Sequence, residues 1–292
     1  MDQDLRPRRS VLYMPGANER ALEKAKGIPA DALIFDLEDA VSPEAKPEAR
    51  DRVCAAASAG GYGLREVVIR VNGLDTEWGA DDLRAAATAG AAAVLVPKID
   101  GPADIAEIER QLDAAGAPST VRIWAMLETP AGIFAAREIA TASDRLAVLV
   151  MGTNDIAKEL HAEHVPGRQP MLFALQQCLL AARLAGKVIL DGVYNDIKDE
   201  AGFQAECVQG RELGFDGKTL IHPTQVEPCN AVFAPSPTEV EQAREIIEAF
   251  QAAEAEGKGV VTVNGRMIEN LHVENARRAL ALDEAITALQ QG

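Results

Sequence analysis

The amino-acid sequence predicts an α/β protein whose main body is a (β/α)₈ TIM barrel, a closed ring of parallel strands surrounded by helices. Three observations support this prediction. Eight short apolar runs, rich in β-branched residues, recur along the 292 residues. The runs are continuous, without polar alternation, which is typical of strands buried on both faces of a parallel sheet. Amphipathic helical stretches fill the gaps between them, and the regular spacing favours a barrel over a doubly wound open sheet.

The predicted elements alternate along the chain. Strands are expected at residues 11–14, 32–37, 67–71, 92–96, 121–127, 146–151, 188–190 and 219–221. Helices are expected at residues 18–26, 43–58, 77–89, 102–115, 130–141, 170–184, 200–213 and 237–255. Asn18 is a suitable cap for the first helix, and Pro130 suits the first turn of the fifth helix.

The pattern changes after Gly257. Two short apolar runs flank Asn264-Gly265, a dipeptide typical of a hairpin turn, and a last helix is expected at residues 273–289. We therefore expect residues 1–256 to form the barrel and residues 257–292 to form a hairpin-helix extension. Because the extension follows a complete barrel, we expect it to contact a neighbouring subunit.

The composition disfavours several classes of function. The formal net charge of -16 disfavours binding to nucleic acid or to an anionic membrane. The basic residues near the N-terminus are expected to be a solvated surface; they are Arg6, Arg8, Arg9, Arg20, Lys24 and Lys26. Residues 1–9 lack the apolar core of a signal peptide, and no apolar run reaches the length of a membrane span. We expect a cytoplasmic location.

The cysteines predict a reducing compartment. Cys54, Cys178, Cys207 and Cys229 form no C-x-x-C pair and lack the spacing of a zinc site. We expect isolated thiols that fill the core or the surface.

Three charged residues stand at the ends of predicted strands. Glu128 and Asp155 each end or follow an apolar run, and Arg70 ends a third. In a barrel the active site lies at the C-terminal ends of the strands, so these side chains should meet there. Two carboxylates suit Mg²⁺, and an arginine suits an anion. The alternative is that Glu128 caps the next helix and Asp155 pairs with a surface lysine.

The second strand ends in an acidic segment, Asp36-Leu37-Glu38-Asp39. Crowded carboxylates repel one another, so they require cations, hydrogen-bond donors or metal-bound waters. Asp36 and Glu38 are expected to share a face beside a metal, with Asp39 pointing elsewhere or beginning the loop. The alternative is that one of them caps the next helix or pairs with Arg70.

Other strand ends offer weaker candidates. The glycine-containing loop after the first strand, with Tyr13 and Pro15, could hold an anion or form a simple turn. Lys98 could form a Schiff base if its pKa were depressed, but a salt-bridged lysine is the preferred interpretation. His222 could be a base or a hydrogen-bonded structural histidine.

Several segments taken together carry a family resemblance. They are Arg9-Ser10-x-Leu12-x-x-Pro15-Gly16, Phe35-Asp36-Leu37-Glu38-Asp39, Arg70-Val71-Asn72, Leu127-Glu128-Thr129-Pro130, Gly152-x-x-Asp155 and the terminal Gly265-x-Met267-Ile268. The set resembles the citrate lyase β-subunit family of the HpcH/HpaI aldolase superfamily over nearly the whole chain. The resemblance implies a Mg²⁺-dependent enzyme that cleaves or forms a C–C bond in a 3-hydroxyacyl-CoA such as citramalyl-, malyl- or citryl-CoA, with an acyl-CoA and an oxo acid as the other reactants.

The same resemblance implies roles for individual residues. Glu128 and Asp155 would bind the metal, and Arg70 would bind the oxo acid. Asp36 and Glu38 are catalytic candidates because of their position at the end of the second strand, apart from the resemblance. The first loop and its helix, with Tyr13, Pro15, Arg20 and Lys24, would lie near the coenzyme A end of the substrate. A homotrimer, or a multiple of one, is expected.

One position departs from the family pattern. Related malyl-CoA lyases and thioesterases carry an aspartate in a terminal G-x-M-x-D pattern, where it reaches a neighbour's active site, and this chain has Glu269 there. Glu269 is the expected general acid, and the alternative is that it is a solvated surface residue beside the last helix. Three alternatives to a stand-alone lyase are a malyl-CoA-type thioesterase, a β subunit that acts on an acyl-carrier protein in a multiprotein citrate lyase, and a catalytically inactive binding barrel.

Overall fold

The structure is a computed structural model that describes residues 6–255, 261–263 and 266–291. Of these residues, Arg8–Phe233 form one compact unit, and the described residues from Ala234 onward form another together with Arg6 and Pro7. Each unit is described by itself.

The first unit is a closed barrel of eight parallel strands, which confirms the predicted fold class. The strands are β1 (Ser10–Pro15), β2 (Ala32–Asp36), β3 (Glu66–Arg70), β4 (Ala93–Val96), β5 (Arg122–Leu127), β6 (Leu146–Met151), β7 (Val188–Asp191) and β8 (Gly217–Leu220). They pair in chain order, and β8 closes on β1. All strands therefore end at the same rim.

Two apolar layers hold the barrel together. The barrel interior is filled by side chains such as Ile34, Leu95, Trp124 and Val150. The neighbouring residues on the same strands, for example Phe35, point outward and pack with the helices. This double burial explains why the strands are continuous apolar runs.

Most helices lie where the sequence predicted them. In the first unit they are α1 (Glu19–Ala25), α2 (Lys46–Ala59), α3 (Gly79–Ala86), α4 (Pro102–Ala114), α5 (Pro130–Phe134), α6 (Ala136–Ala140), α7 (Thr153–Glu159), α8 (Leu172–Leu184), α9 (Glu200–Leu213) and α10 (Val226–Phe233). Short 3-10 helices precede α2, α8 and α10. Asn18 caps α1 by accepting a hydrogen bond from the amide of Ala21.

Two helices were not predicted, namely α7 and α10. Both are short, so neither offers enough turns to show a helical period in the sequence. Helix α10 follows β8 and packs on β1, β8 and α9. The compact barrel unit therefore closes at Phe233, earlier than the boundary expected after residue 256.

The second unit contains the long helix α11 (Pro237–Ala255), the strands β9 (Val261–Val263) and β10 (Arg266–Ile268), and the terminal helix α12 (Asn270–Gln291). The two strands pair in antiparallel fashion, and α11 packs on α12 and β9. A hairpin followed by a helix was predicted. The Asn264-Gly265 turn lies outside the described residues.

Part of the N-terminal basic cluster is buried, so the prediction of a solvated surface is wrong for Arg8 and Arg9. Arg8 lies 2.6 Å from Glu66, and Arg9 lies 2.7 Å from Asp31. Both arginines are only 4% exposed, because each is neutralised by an acid from the neighbouring strand region. The arginine side chains thus belong to the barrel core.

The other expectations drawn from composition concern cysteines and membranes. All four cysteines are free, and three of them, Cys178, Cys207 and Cys229, are buried. Burial raises the pKa of Cys178 to about 12, as expected for an inert core thiol. None of the helices that the structure describes is long and apolar enough to cross a membrane.

Candidate active site

The C-terminal ends of the strands surround a cavity of about 430 Å³ within the barrel unit. Its lining includes five of the residues singled out from the sequence: Tyr13, Asp36, Arg70, Glu128 and Asp155. Seven different strands, or the segments that follow them, contribute residues to the lining. The cavity therefore occupies the place where barrel enzymes bind their substrates.

Arg70, the last residue of β3, is held in a fixed position. Its Nε and Nη2 atoms donate to the two oxygens of Asp36, at 2.6 and 2.7 Å. The guanidinium lies over the ring of Tyr13, at 4.7 Å from the ring centroid. Burial opposes its charge, but the Asp36 carboxylate outweighs that effect, so the pKa of Arg70 lies above its usual value. Arg70 is a permanent cation in a wall of the cavity.

Asp36 is fully engaged in this contact. Besides Arg70, it accepts hydrogen bonds from the amides of Glu38 and Ala40 at 2.9 and 3.0 Å. The alternative that an acid of this segment pairs with Arg70 is therefore what the structure shows. Asp36 is well suited to orienting Arg70 and poorly suited to exchanging a proton, because its lone pairs are already used.

Glu38 forms a bridge between two cations. One of its oxygens lies 2.8 Å from Arg70 Nη1, and the other lies 3.3 Å from Lys98 Nζ. Burial nevertheless raises the pKa of Glu38. Asp39 lies 3.3 Å from Arg70 as well, with its side chain 73% exposed. Asp39 lies in the loop that follows β2, which is one of the two positions expected for it, and all three acids of this segment contact Arg70.

Lys98 orients carboxylates, as the preferred interpretation held. Burial opposes its charge, but Glu38 outweighs that effect and raises the pKa of Lys98, whereas a Schiff-base lysine requires a lowered pKa. Its backbone has φ 54°, an unusual conformation for a residue with a side chain. In this conformation its amide donates to Glu128 Oε1 at 2.8 Å.

Glu128 is the most perturbed acid of the cavity. The residue is 2% exposed, and burial, reinforced by the charges of Glu38 and Asp155, raises the pKa of Glu128 to about 8. Gly152 packs directly on its side chain, and a Cβ at Gly152 would collide with the Glu128 carboxylate. The neighbouring helix α5 is capped by Thr129, so the alternative in which Glu128 acts as the helix cap is wrong.

Asp155 lies in the first turn of α7, directly after β6. It is half-buried and lines the same cavity as Glu128. Among the described residues it forms no ion pair with a surface lysine. The part of the chain that the structure describes contains no cluster of three or more metal-binding side chains. A cation held by Glu128 and Asp155 would thus keep waters or bind substrate oxygens.

The four residues expected near coenzyme A divide into two pairs. Tyr13 and Pro15 line the cavity, and burial raises the pKa of the Tyr13 hydroxyl. Arg20 and Lys24 are exposed on α1 and are not among the residues that line the cavity.

Two further candidates lie in other settings. His222 caps the 3-10 helix before α10, where its Nδ1 atom accepts from the amide of Thr224, which is the hydrogen-bonded arrangement of the structural alternative. Glu269 is an exposed residue of the second unit, directly before α12. Its amide donates to His272 Nδ1 at 3.0 Å.

The sequence analysis missed several lining residues, namely Met126, Met151, Thr153, Asn154, Val193, Thr219 and Ile221. The strand-end rule could have identified Thr219 and Ile221, since β8 ends between them. Val193 carried no signal, because an isolated apolar residue in a loop resembles any other.

The fold and the cavity together place this protein among the (β/α)₈ barrels that have a polar site at the C-terminal ends of the strands. A family model described as HpcH/HpaI aldolase/citrate lyase matches residues 9–223, and one described as C-C bond lyase of the TIM-barrel fold matches residues 169–285. The chain belongs to the HpcH/HpaI aldolase/citrate lyase family of enzymes, as the sequence motifs predicted.

Two curated relatives cover nearly the full chain. A (3S)-malyl-CoA thioesterase of Cereibacter sphaeroides is 52% identical over 99% of this chain and 99% of its own length. The citrate lyase subunit beta of Escherichia coli is 42% identical over 96% of this chain and 94% of its own length.

Solved structures show the same fold. CitE from Mycobacterium tuberculosis, in complex with magnesium, acetoacetate and coenzyme A, has a TM-score of 0.75 at 28% identity and covers 94% of this chain and 97% of its own. RipC from Yersinia pestis has a TM-score of 0.69 at 28% identity and covers 81% of this chain and 99% of its own.

Proposed function

We propose that this protein is a Mg²⁺-dependent carbon-carbon lyase that cleaves or forms a 3-hydroxyacyl-CoA of the malyl-CoA, citramalyl-CoA or citryl-CoA type. One observation carries the proposal: Glu128, a buried carboxyl with a pKa raised to about 8, shares a cavity with Asp155 and with the anchored cation Arg70. Perturbed acids beside a fixed cation in a cleft are typical of a catalytic site.

The known structures support this assignment of ligands. The CitE structures from Mycobacterium tuberculosis are described as complexes with magnesium and coenzyme A, and with oxaloacetate and magnesium. Such ligands suit a site that pairs acids with one arginine.

The donor set of the cavity fits a hard divalent cation. Glu128 and Asp155 would hold Mg²⁺, because both are carboxylates and their mutual repulsion is relieved by a shared cation. When bound, Mg²⁺ supplies Lewis-acid polarisation of an oxygen of the oxo acid. The Lys98 amide fixes one Glu128 oxygen, and Gly152 leaves space for the side chain.

Arg70 is proposed to bind the oxo acid, in a manner revised by its contacts. The edge with Nε is already taken by Asp36, so the carboxylate of an oxo acid must approach Nη1. There it would replace Asp39, the more weakly held partner, at 3.3 Å and with a largely exposed side chain. Asp36 and the Tyr13 ring would keep the guanidinium in place during the exchange.

The reaction breaks the bond between C2 and C3 of the acyl chain. The 3-hydroxyl loses its proton as the oxo acid forms, and the acyl-CoA enolate takes up a proton at C2. Glu269, supplied by a neighbouring subunit, is the proposed acid for that second proton. It keeps a carboxylate where the resemblance places an aspartate.

The coenzyme A portion is proposed to extend from the cavity past Tyr13 and Pro15, whose loop leads into α1. Arg20 and Lys24 project from that helix into solvent, where they could meet the phosphates of the substrate. The exposed position of both cations is compatible with this role.

The protein is proposed to be a homotrimer or a multiple of one, with the extension from residue 257 onward contacting a neighbour. The barrel unit exposes four large apolar side chains on α5 and α8, namely Phe134, Phe173, Leu180 and Leu184. The rings of Phe134 and Phe173 lie 6.3 Å apart, so this is a contiguous patch that self-association would cover.

Thioester hydrolysis is the second candidate activity. The specific observation that favours it is the 52% identity to a (3S)-malyl-CoA thioesterase over the whole chain. In that case malyl-CoA would give malate and free coenzyme A, with water as the second reactant.

Product analysis separates the two activities. Purified protein would be incubated with malyl-, citramalyl- and citryl-CoA, with Mg²⁺ or with a chelator, and the thioesters separated by chromatography. A lyase produces acetyl-CoA and an oxo acid, whereas a thioesterase produces free coenzyme A. No turnover of any of the three thioesters in the presence of Mg²⁺ would contradict both candidates.

A further inference from the structure

The side chain of Tyr13 points into the barrel interior, where it packs against the inner apolar layer that includes Met126. Tyr13 lies near the C-terminal end of β1 and lines the catalytic cavity. A side chain inside a closed barrel can reach solvent only through an open end, and Tyr13 is partly exposed. The exposed part of Tyr13 therefore faces the cavity at the rim.

The hydroxyl of Tyr13 has a poor hydrogen-bond acceptor. In the part of the chain that the structure describes, its single partner is the thioether sulfur of Met126, at 4.0 Å. A thioether is a weak acceptor, so this contact leaves the donor largely unused. Burial raises the pKa of Tyr13, so the hydroxyl keeps its proton and remains a donor.

A second donor of the cavity approaches the same sulfur. Arg70 Nη1 lies 4.0 Å from Met126 Sδ, and the Arg70 guanidinium lies over the Tyr13 ring. The phenol and the guanidinium are thus held side by side, next to one weak acceptor. A carboxylate has two oxygens that can accept from two neighbouring donors at once, and its negative charge strengthens both hydrogen bonds.

The ring alone accounts for the packing of Tyr13. It supports the Arg70 guanidinium at 4.7 Å from the ring centroid, and phenylalanine would supply the same ring. The hydroxyl, by contrast, loses water without gaining a strong partner, which lowers the stability of the free protein. A polar group left in this state requires an explanation, and a ligand that supplies the missing acceptor provides one.

We propose that the Tyr13 hydroxyl binds the carboxylate of the oxo acid, beside Arg70 Nη1. The neutral donor and the cation share one carboxylate, while the ring of Tyr13 keeps the guanidinium in position. This inference rests on the proposed lyase function, because the oxo acid is a reactant of that reaction.

Tyr13→Phe tests the proposal, because it removes the hydroxyl and keeps the ring. Binding of pyruvate, glyoxylate and oxaloacetate, the oxo acids of the three candidate reactions, would be measured by calorimetry with Mg²⁺, and binding of acetyl-CoA separately. The dissociation constant of each oxo acid that binds the wild type should rise about ten- to a hundredfold, because a hydrogen bond to a charged acceptor is lost. The affinity for acetyl-CoA should be unchanged. Without ligands, the variant should unfold at or above the wild-type temperature.

Tyr62→Phe is the matched control. Tyr62 is 4% exposed, packs on Phe35 in the outer layer and is not among the residues that line the cavity. Its hydroxyl donates to the carbonyl of Leu22 at 3.3 Å. The control should therefore bind the oxo acids as the wild type does, and it should unfold at a lower temperature because a satisfied hydrogen bond is lost.

Three results would overturn the proposal while leaving the proposed function intact. They are an unchanged oxo-acid affinity in Tyr13→Phe, a loss confined to acetyl-CoA, which would place the hydroxyl at the thioester, and an equal loss of both affinities with a lower unfolding temperature, which would make the hydroxyl structural. A wild type that binds none of the three oxo acids in the presence of Mg²⁺ would contradict the proposed lyase function and this inference with it.

Discussion

Replacing Glu128 by glutamine should abolish Mg²⁺ binding and yet make the metal-free protein more stable. In the structure, burial and the charges of Glu38 and Asp155 raise the pKa of Glu128 from 4.5 to about 8. The ionised form is therefore unfavourable until a cation binds. Glutamine keeps nearly the same shape without the charge, so it removes both the cation's ligand and the unfavourable ionisation.

The size of the stability effect follows from the difference in pKa between the folded and unfolded states. Between pH 4.5 and pH 8 the folded protein retains the Glu128 proton that the unfolded chain has lost. The stability contributed by the neutral carboxyl is thus complete below pH 4.5 and is lost as the pH rises toward 8. Since each pKa unit corresponds to about 1.4 kcal/mol, the wild type should lose roughly 4–5 kcal/mol from this group across that range.

The same pKa sets the pH dependence of Mg²⁺ binding in the wild type. Below pH 8 the cation must displace one proton from Glu128, so the apparent affinity should fall about tenfold for each pH unit from 8 to 6. Above pH 8 the affinity should become constant. Asp155→Asn should also lose the cation, because it leaves a single carboxylate.

Calorimetric Mg²⁺ titrations and thermal unfolding with a chelator would measure these effects at pH 5, 7 and 8.5. Glu159→Gln, an exposed position at the end of α7, is the matched control and should behave as wild type. Glu128→Gln should unfold several degrees above the wild type at pH 8.5 and close to it at pH 5. Retained Mg²⁺ affinity in Glu128→Gln, or a pH-independent affinity in the wild type, would refute this account of the site.

Three further predictions concern catalysis and assembly. Arg70→Lys should lower kcat for thioester cleavage by about 10²-fold, because a point charge cannot both bind Asp36 and orient the substrate; wild-type kinetics would make Arg70 purely structural. Glu269→Ala should bind coenzyme A esters normally but turn over about 10²–10⁴-fold more slowly, with partial recovery in Glu269→Asp; unchanged turnover in stopped assays would exclude it as the acid. Deleting the chain from Gly257 onward should reduce activity more than barrel stability, and light scattering that shows an active monomer of the full chain would contradict the expected homotrimer.

The sequence was sufficient to predict the barrel because the strands of the barrel are buried on both faces. Each strand is then a continuous apolar run, and its end marks the rim where Arg70 and Glu128 lie. The identities of the partners could not be predicted. Asp36 and Arg70 are 34 positions apart, and which of the three neighbouring acids makes the two-point contact with the arginine depends on the register of β2 with β3.

The incorrect and missing predictions also arise from contacts between residues that are distant in the sequence and from elements that are too short to show a pattern. Arg8 looked like part of a solvated cluster, since its partner Glu66 is 58 positions away and only the barrel brings them together. Helix α7 was missed although it carries Asp155, because its seven residues are too few to show a period. Nothing in the sequence around Lys98 indicated that this residue would adopt φ 54° and that its backbone amide would hold Glu128 in place.

Diffraction from crystals soaked with Mn²⁺ in place of Mg²⁺ would show whether Glu128 and Asp155 together bind the metal. Mn²⁺ prefers the same oxygen ligands and is visible by anomalous scattering. We expect a single anomalous peak in the barrel cavity, bonded to carboxylate oxygens of both Glu128 and Asp155, that disappears in Glu128→Gln. A peak bonded to neither residue, or no peak at saturating Mn²⁺, would contradict it.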